Sequence, residues 1–388
     1  MGVGIRNLGN TCFIAATVQC IVRIPIFMNF LNGHKNECKT GKFCCICMMQ
    51  RTAVSLFYST EPIVPKEIVG NISLIGEHMQ YGKQEDAHDF LLCLLNEMQN
   101  QLVLGLKVDQ FIERTSAISK IFNGFLRSQI ICQHCRTSSN NYEAFFNISL
   151  EAGSADSVHG ALRHFCAAED MGNERWYSCD TCKSKQRATK HFTIHQMPNV
   201  LILQLKRYGL SNTDGYKISK HVTFEEHLDI SSYVSSDGDA SRPSQTKYRL
   251  HGIVVHQGYS LGSGHYYAYA VDPRVLSHKN GTEFNQFNQY SKRWLYANDS
   301  SVSVTDWENV KKAEAYLLFY AKVNTVNSHK IATSPTSTVT KPVSLISTPA
   351  PMHATDEEQS FSGFGFSMSM KKVAGINKHT DGTFYPII

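Results

Sequence analysis

The sequence predicts an α+β fold in which helices come first, a cysteine-paired stranded region second and a β-rich region last. Three observations carry this reading. Up to about residue 115, apolar positions recur at helical spacing. Between about 120 and 197, short strand-like runs surround two Cys-x2-Cys pairs. From about 198 to 322, runs rich in Val, Ile, Leu and Tyr alternate with turn-forming residues.

The first helix follows Cys12. Phe13, Ala16, Thr17, Cys20 and Ile21 fall at the i, i+3, i+4, i+7, i+8 spacing of a buried helix face. Pro25 ends or kinks that helix, because its ring removes a donor and clashes with the preceding turn. A second helix runs from about Gln84, with Ala87, Phe90, Leu91, Leu94, Leu95 and Met98 on one stripe. Strands are expected at 199–208, 247–256, 265–271, 293–297 and 315–322, with loops at 231–246 and 274–292. From about 323 the chain turns Ser/Thr/Pro-rich (SPTSTVTKPVSLISTPAP), a composition that cannot bury a core, so disorder is expected there.

The 388 residues are 42% hydrophobic, enough for a full core, and a length of this kind fits two or three structural units. Net charge is +5 with Lys and Arg scattered, so no basic block calls for nucleic acid. The start, MGVGIRNLGNTC, lacks the apolar core of a secretory signal, and no run of 18 apolar residues exists to span a membrane. An intracellular, reducing setting, cytoplasm or nucleus, is therefore expected. There the 12 cysteines serve metals or chemistry rather than disulfides, and the sequons at Asn71, Asn147, Asn280 and Asn298 are chance matches.

In GNTC at 9–12, Gly9 permits a tight turn and Asn10 or Thr11 can cap a helix, which puts Cys12 at the helix N-terminus. Backbone N–H groups and the helix dipole favour a thiolate there, and a thiolate attacks carbonyls. A buried helix cysteine, as at Cys20, is the plainer alternative. A nucleophilic cysteine needs a histidine to take its proton and a third group to orient that histidine. His265, at a strand start just after GYSLGSG, is the best placed of the 17 histidines. Asn298, just past the next strand, can orient it through its amide oxygen, and Asp299 can do so with a full charge.

Four cysteines, Cys132, Cys135, Cys179 and Cys182, form two intact knuckles of the kind that build a closed tetrahedral zinc site. Such a site is structural, because no coordination position stays open. A second set, His34, Cys38, Cys44 and Cys47, has the spacing H-x3-C-x5-C-x2-C of a loop-bound zinc, with Cys45 competing for the place of Cys44. No catalytic cofactor is expected.

Five segments together, GIRNLGNTCF, QEDAHDF, LILQLKRY, GIVVHQGYSLGSGHYYAY and RWLYANDSSV, resemble the boxes of the ubiquitin-specific protease family, in that family's order over about residues 3–322. The resemblance implies a papain-like cysteine protease fold with a helical thumb (about 1–115), zinc-ribbon fingers (about 120–197) and a β-rich palm (about 198–322). It implies a monomeric deubiquitinase that hydrolyses the bond after the C-terminal glycine of ubiquitin, with ubiquitin and ubiquitinated proteins as partners. Cys12 is then the nucleophile, His265 the general base and Asn298 its orienting residue. Asn7 matches the residue whose side-chain NH2 donates to the oxyanion, a contact worth roughly 3 kcal/mol to a transition state. Asp86 and Asp89, spaced i, i+3 and off the apolar stripe, read as pointing outward together. The matching acids of the family hold arginines of the ubiquitin tail, with Gln84 nearby. One departure stands out: the family usually has Asn at the position of Ala15 and often Tyr at that of Phe13.

Two other readings compete. A catalytically weak ubiquitin-binding adaptor would share the fold, and only Ala15 hints at it. A zinc-ribbon nucleic-acid binder would explain the Cys pairs, but it leaves His265 and QEDAHDF unexplained and lacks a basic face interleaved with aromatics.

Overall fold

The computed structural model describes residues 2–34, 38, 43–104, 115–171, 177–210, 215–237, 246–258, 263–272 and 293–323. The Ser/Thr/Pro-rich tail, the whole 274–292 loop and the later half of the 231–246 loop lie outside them. Helices come first: α1 (Cys12–Ile21), α2 (Pro25–His34), α3 (Cys45–Tyr58), α4 (Lys66–Gly70), α5 (Ile72–Ile75), α6 (Ala87–Val103) and α7 (Ala117–Phe122).

All ten residues of α1 are buried, not one face only. The helix is wedged between α6 and the strands of the palm, so neither side meets water. Among the described residues no single helix is long and apolar enough to cross a membrane; α1 and α2 pass such a test only as a pair bent by 95°. Pro25 makes that bend by starting α2 rather than by kinking α1, at the first helical position where its missing N–H costs nothing. The predicted stripe of α6 is inside: Ala87, Phe90, Leu91, Leu94, Leu95 and Met98 are each fully buried. Burying a side chain of the size of Leu or Phe stabilises by about 1.5–3 kcal/mol. The buried Phe13 ring meets Phe90 edge-on at 5.5 Å, an environment that suits Phe at this position.

The fingers hold a four-stranded sheet in the order β2-β1-β7-β4, formed by β1 (Gly124–Cys132), β2 (Ser138–Phe145), β4 (Glu169–Asp170) and β7 (Ala188–Gln196). A small hairpin of β5 (Tyr177–Cys179) and β6 (Ser184–Gln186) forms a separate two-stranded sheet. The predicted span of the fingers also contains a piece of the palm. Strand β3 (Asn147–Glu151) runs parallel to β8 (Val200–Lys206), and α8 (Val158–Cys166) follows it. The boundary with the helical region moves as well, because Ile118, Ile121 and Phe122 of α7 belong to the helical core.

The palm is an eight-stranded sheet. Its path is β15-β14-β13-β12-β16-β8-β3, with β11 (His227–Asp229) pairing β12. The remaining strands of that path are β12 (Lys247–Gln257), β13 (His265–Val271), β14 (Trp294–Asn298), β15 (Ser301–Thr305) and β16 (Ala315–Lys322), with the short α9 (Trp307–Val310) before the last. A hairpin of β9 (Tyr208–Leu210) and β10 (Gly215–Lys217) extends from β8. Alternation along β8 splits the core between the two faces. Val200 and Ile202 join the helical cluster, and Leu201, Leu203 and Leu205 join the cluster on the far side.

Candidate active site

The site lies where the start of α1 meets the start of β13 and the end of β14. The N-terminal segment is fastened across the palm: Ile5 N–H donates to the Asp299 carbonyl at 2.8 Å, and Ile5 bridges Ile63. Gly4 has to be glycine, because a Cβ there would lie 2.1 Å from the Ser300 carbonyl oxygen. This contact sets the position of the loop that leads to Cys12.

That loop closes on Asn7. Its Oδ1 accepts from the N–H groups of Gly9 (3.0 Å) and Thr11 (3.1 Å) and from the Thr11 hydroxyl (3.2 Å). Its Nδ2 donates to Asp299 Oδ2 at 3.1 Å. An amide nitrogen carries two hydrogens, so the exposed Asn7 keeps a second donor for another acceptor. Gly9 and Asn10 both take left-handed backbone angles, with φ of 93° and 59°. Asn10 then reaches away to donate to the Gly82 carbonyl at 2.8 Å.

The expected cap of α1 is therefore missing. Thr11 occupies the N-cap position, yet its side chain makes no capping bond. Its hydroxyl is spent on the loop, accepting from Leu8 N–H at 2.9 Å. The amides of Cys12 and Phe13 are left facing the Cys12 sulfur. The sequence-based expectation of a stabilised thiolate needs correction in this resting state. Burial pushes the Cys12 thiol up, against the pull of the Tyr266 amide; the Asp299 carboxylate pushes it further, and the Phe13 and Cys12 amides pull it down. Desolvation outweighs the helix end and favours the neutral thiol.

The Tyr266 amide belongs to the residue after His265, so the Cys12 sulfur meets β13 one residue along from the imidazole. His265 Nε2 donates to Asn298 Oδ1 at 2.6 Å, and Asn298 Nδ2 donates to the Tyr296 hydroxyl at 3.1 Å. With Nε2 holding the proton toward Asn298, Nδ1 carries the lone pair. Asn298, not Asp299, therefore orients the histidine, and Asp299 is used on Asn7 instead. Asp299 Oδ1 is buried without a hydrogen-bond partner among the described residues.

The acidic segment departs from expectation. Asp86 and Asp89 do not point outward together. Asp86 is the N-cap of α6: one carboxylate oxygen accepts from His88 N–H (2.8 Å) and Asp89 N–H (3.0 Å). The other accepts from the hydroxyls of Tyr266 (3.2 Å) and Tyr316 (2.7 Å) on the palm. Asp86 thus clamps the helical region to the strand that carries His265. Asp89 does face solvent, where its Oδ2 meets His78 Nε2 at 2.5 Å. Gln84 spans the cleft, donating to the Gly264 carbonyl at 2.9 Å. Gly264 is tightly packed from below, since a Cβ would come within 2.1 Å of His256 Nε2. His256 itself is held neutral, pushed down to about 4 by burial and the Lys217 charge. Sequence reasoning missed Tyr266, Tyr316, Tyr296 and Gly264; the alternation HYYAY is the one local signal that could have pointed to the first.

Both metal-ligand sets come together. The Sγ atoms of Cys132, Cys135, Cys179 and Cys182 all lie within 4.8 Å of one another, with 3.9 Å for Cys132–Cys182 and 3.5 Å for Cys135–Cys179. A zinc tetrahedron with bonds of about 2.3 Å has sulfur–sulfur edges of about 3.8 Å, so the tetrad fits a metal of this class. Cys182 N–H donates to Cys179 Sγ at 3.5 Å. His34, Cys38, Cys44 and Cys47 are likewise gathered within 4.8 Å, with His34 Nε2 3.3 Å from Cys44 Sγ. Here Cys44 prevails over Cys45. Cys44 caps α3 and accepts from Cys47 N–H, whereas Cys45 is fully buried in the core.

A family profile described as "Ubiquitin carboxyl-terminal hydrolase" matches residues 3–320. Human ubiquitin carboxyl-terminal hydrolase 42 is 34% identical over 340 residues, which cover 87% of this chain and 24% of that protein. Ubiquitin carboxyl-terminal hydrolase 25 of Arabidopsis thaliana is 34% identical over 335 residues, 83% of this chain and 47% of that one. The chain thus spans about a quarter to a half of these two relatives. Human ubiquitin carboxyl-terminal hydrolase 17-like protein 6 is 30% identical over 337 residues, covering 86% of this chain and 78% of the relative. Among solved structures, the SAGA Ubp8/Sgf11/Sus1/Sgf73 DUB module bound to ubiquitin aldehyde superposes with a TM-score of 0.70 at 28% identity, covering 83% of this chain and 70% of that one. The order of the boxes, the architecture and these matches agree, and the chain belongs to the ubiquitin carboxyl-terminal hydrolase family.

Proposed function

We propose that this chain is a deubiquitinase, a thiol-dependent peptidase that cuts the isopeptide or peptide bond after the C-terminal glycine of ubiquitin. The observation that carries this reading is the His265–Asn298 pair at 2.6 Å, with His265 on the strand whose next amide, Tyr266, faces the Cys12 sulfur. His265 Nδ1 takes the Cys12 proton, and the thiolate attacks the glycine carbonyl. The resulting oxyanion is met by the second N–H of Asn7 and the Cys12 amide. Collapse breaks the C–N bond, His265 returns its proton to the departing amine, and a thioester remains on Cys12. Water, deprotonated by His265, then hydrolyses the thioester and frees the ubiquitin carboxylate and the thiol.

The raised Cys12 thiol fits an enzyme that forms its nucleophile by passing the proton to His265. Asp89 and Gln84 supply the tail-binding edge of the cleft, a carboxylate being matched to an arginine guanidinium. Asp86 acts from behind, by fixing the strand of His265. The two ligand sets fit structural zinc: the Cys132 tetrad ties the fingers together, and the His34 set anchors the start of α3. The partners are ubiquitin and ubiquitinated proteins, and a reducing intracellular setting suits so many free thiols.

The test is cleavage of a ubiquitin amide by Cys12→Ala. Turnover is expected to vanish while ubiquitin binding and the circular dichroism spectrum stay unchanged; equal residual turnover refutes the assignment. Metal analysis of the purified chain is expected to find two tightly held zinc ions, and one per chain sinks the His34 site.

A further inference from the structure

Among the described residues a third set of metal-type donors exists, apart from both structural sets: His78 Nε2, an Asp89 oxygen and Cys93 Sγ, all within 4.8 Å of one another. Asp89 and Cys93 are spaced i, i+4 on α6 and so share one helix face. His78 comes from the turn before that helix, which is held in place. Met79 N–H donates to the Gly76 carbonyl at 2.9 Å, and Met79 is fully buried beside the histidine. Gly76 lies so close over Cys93 that a Cβ would come within 3.1 Å of its sulfur. Two of the donors are open to solution, the His78 and Asp89 side chains being 57% and 44% exposed, and Cys93 is half-buried behind them. Glu85 adds a further negative charge that couples to His78 and Asp89.

We propose that His78, Asp89 and Cys93 form an exchangeable zinc-class site whose ion competes with the substrate tail for the Asp89 carboxylate. A nitrogen, an oxygen and a sulfur are a ligand set that zinc accepts, and three protein ligands leave the fourth position open to water. With metal–ligand bonds near 2.0–2.1 Å, tetrahedral nitrogen and oxygen ligands lie about 3.4 Å apart. The present His78–Asp89 distance of 2.5 Å is that of their direct hydrogen bond, and two solvent-facing side chains can open it by rotating. Binding displaces the Cys93 thiol proton, which leaves to solvent, while the ion takes the sulfur lone pair. A carboxylate bound to zinc cannot also hold a guanidinium, so occupancy weakens ubiquitin binding. That second part rests on the deubiquitinase reading; the metal site does not.

Cobalt(II) tests the site directly. The full chain carrying Cys12→Ala, with its tight zinc loaded, removes the catalytic thiol as a rival ligand. One added equivalent of cobalt is expected to give a thiolate-to-cobalt charge-transfer band. Cys93→Ala should abolish that band, and the exposed His78→Ala should weaken cobalt binding at least about tenfold. Saturating zinc should lower monoubiquitin affinity at least about tenfold in Cys12→Ala, and leave it unchanged when Cys93→Ala is added. No band, or an equal band in Cys93→Ala, overturns the site. A Cys93-dependent band with unchanged ubiquitin affinity overturns the competition. Failure to bind ubiquitin without added metal counts against the deubiquitinase reading and the competition with it, while the Cys93-dependent band still supports the site.

Discussion

Two helices begin in the same cleft, and their first turns are used in opposite ways. At the start of α1, Thr11 makes no side-chain cap, and the free amides of Cys12 and Phe13 look toward a sulfur. At the start of α6, Asp86 caps two amides and also receives two tyrosine hydroxyls from the palm. An open helix end is an anion site in waiting, whereas a capped one is a joint. The proposed reaction uses both: the joint keeps the strand of His265 still, and the open end would receive charge as it develops at the substrate carbonyl.

Removing the base should separate chemistry from structure most sharply. His265→Gln is expected to lower kcat/KM for a ubiquitin–fluorophore amide by about 10²–10⁴-fold with the melting temperature unchanged. A loss of less than tenfold would contradict the assigned role. On the same side of the comparison, Asn7→Ala should cost about 10²–10³ in kcat while KM moves little, as for one lost oxyanion donor.

The other side should behave as a joint. Asp86→Ala forfeits a cap worth about 1 kcal/mol and two hydroxyl contacts worth about 1 kcal/mol each, so urea unfolding should show a loss of about 2–4 kcal/mol. Asp89→Ala should leave stability within about 0.5 kcal/mol and raise KM instead. If the two variants behave alike, the division between clamp and tail-binding edge is wrong. The smallest effect concerns pH. Because burial favours the neutral thiol, alkylation of Cys12 by iodoacetamide in the free enzyme should keep rising through and beyond the ordinary thiol range. A plateau below pH 7 would show the thiolate already formed at rest.

Much of this site was legible in the sequence because its marks are local. Cys12 follows a glycine turn, His265 opens a strand, Asn298 closes one, and Cys-x2-Cys pairs announce a metal. The limits of β13 and β16 also agree with the expected strands, since long apolar runs between turn-formers are strong signals. What stayed hidden depends on partners far away in the chain. Asp86 meets Tyr266 and Tyr316 across 180 and 230 residues, and no periodicity encodes that. The same holds for β3, which left its neighbours in the fingers to pair with β8 in the palm. The complete burial of α1 is visible only once α6 and the sheet close on it from both sides. The raised Cys12 thiol follows from that burial, and local reasoning about a helix end pointed the other way.

Trapping with ubiquitin that carries a C-terminal electrophile tests the central claim most directly. Intact-mass measurement should find one ubiquitin bound per chain, peptide mapping should place the bond on Cys12, and Cys12→Ala should form no adduct. An adduct mapped to another cysteine, or one that persists in Cys12→Ala, would contradict the account.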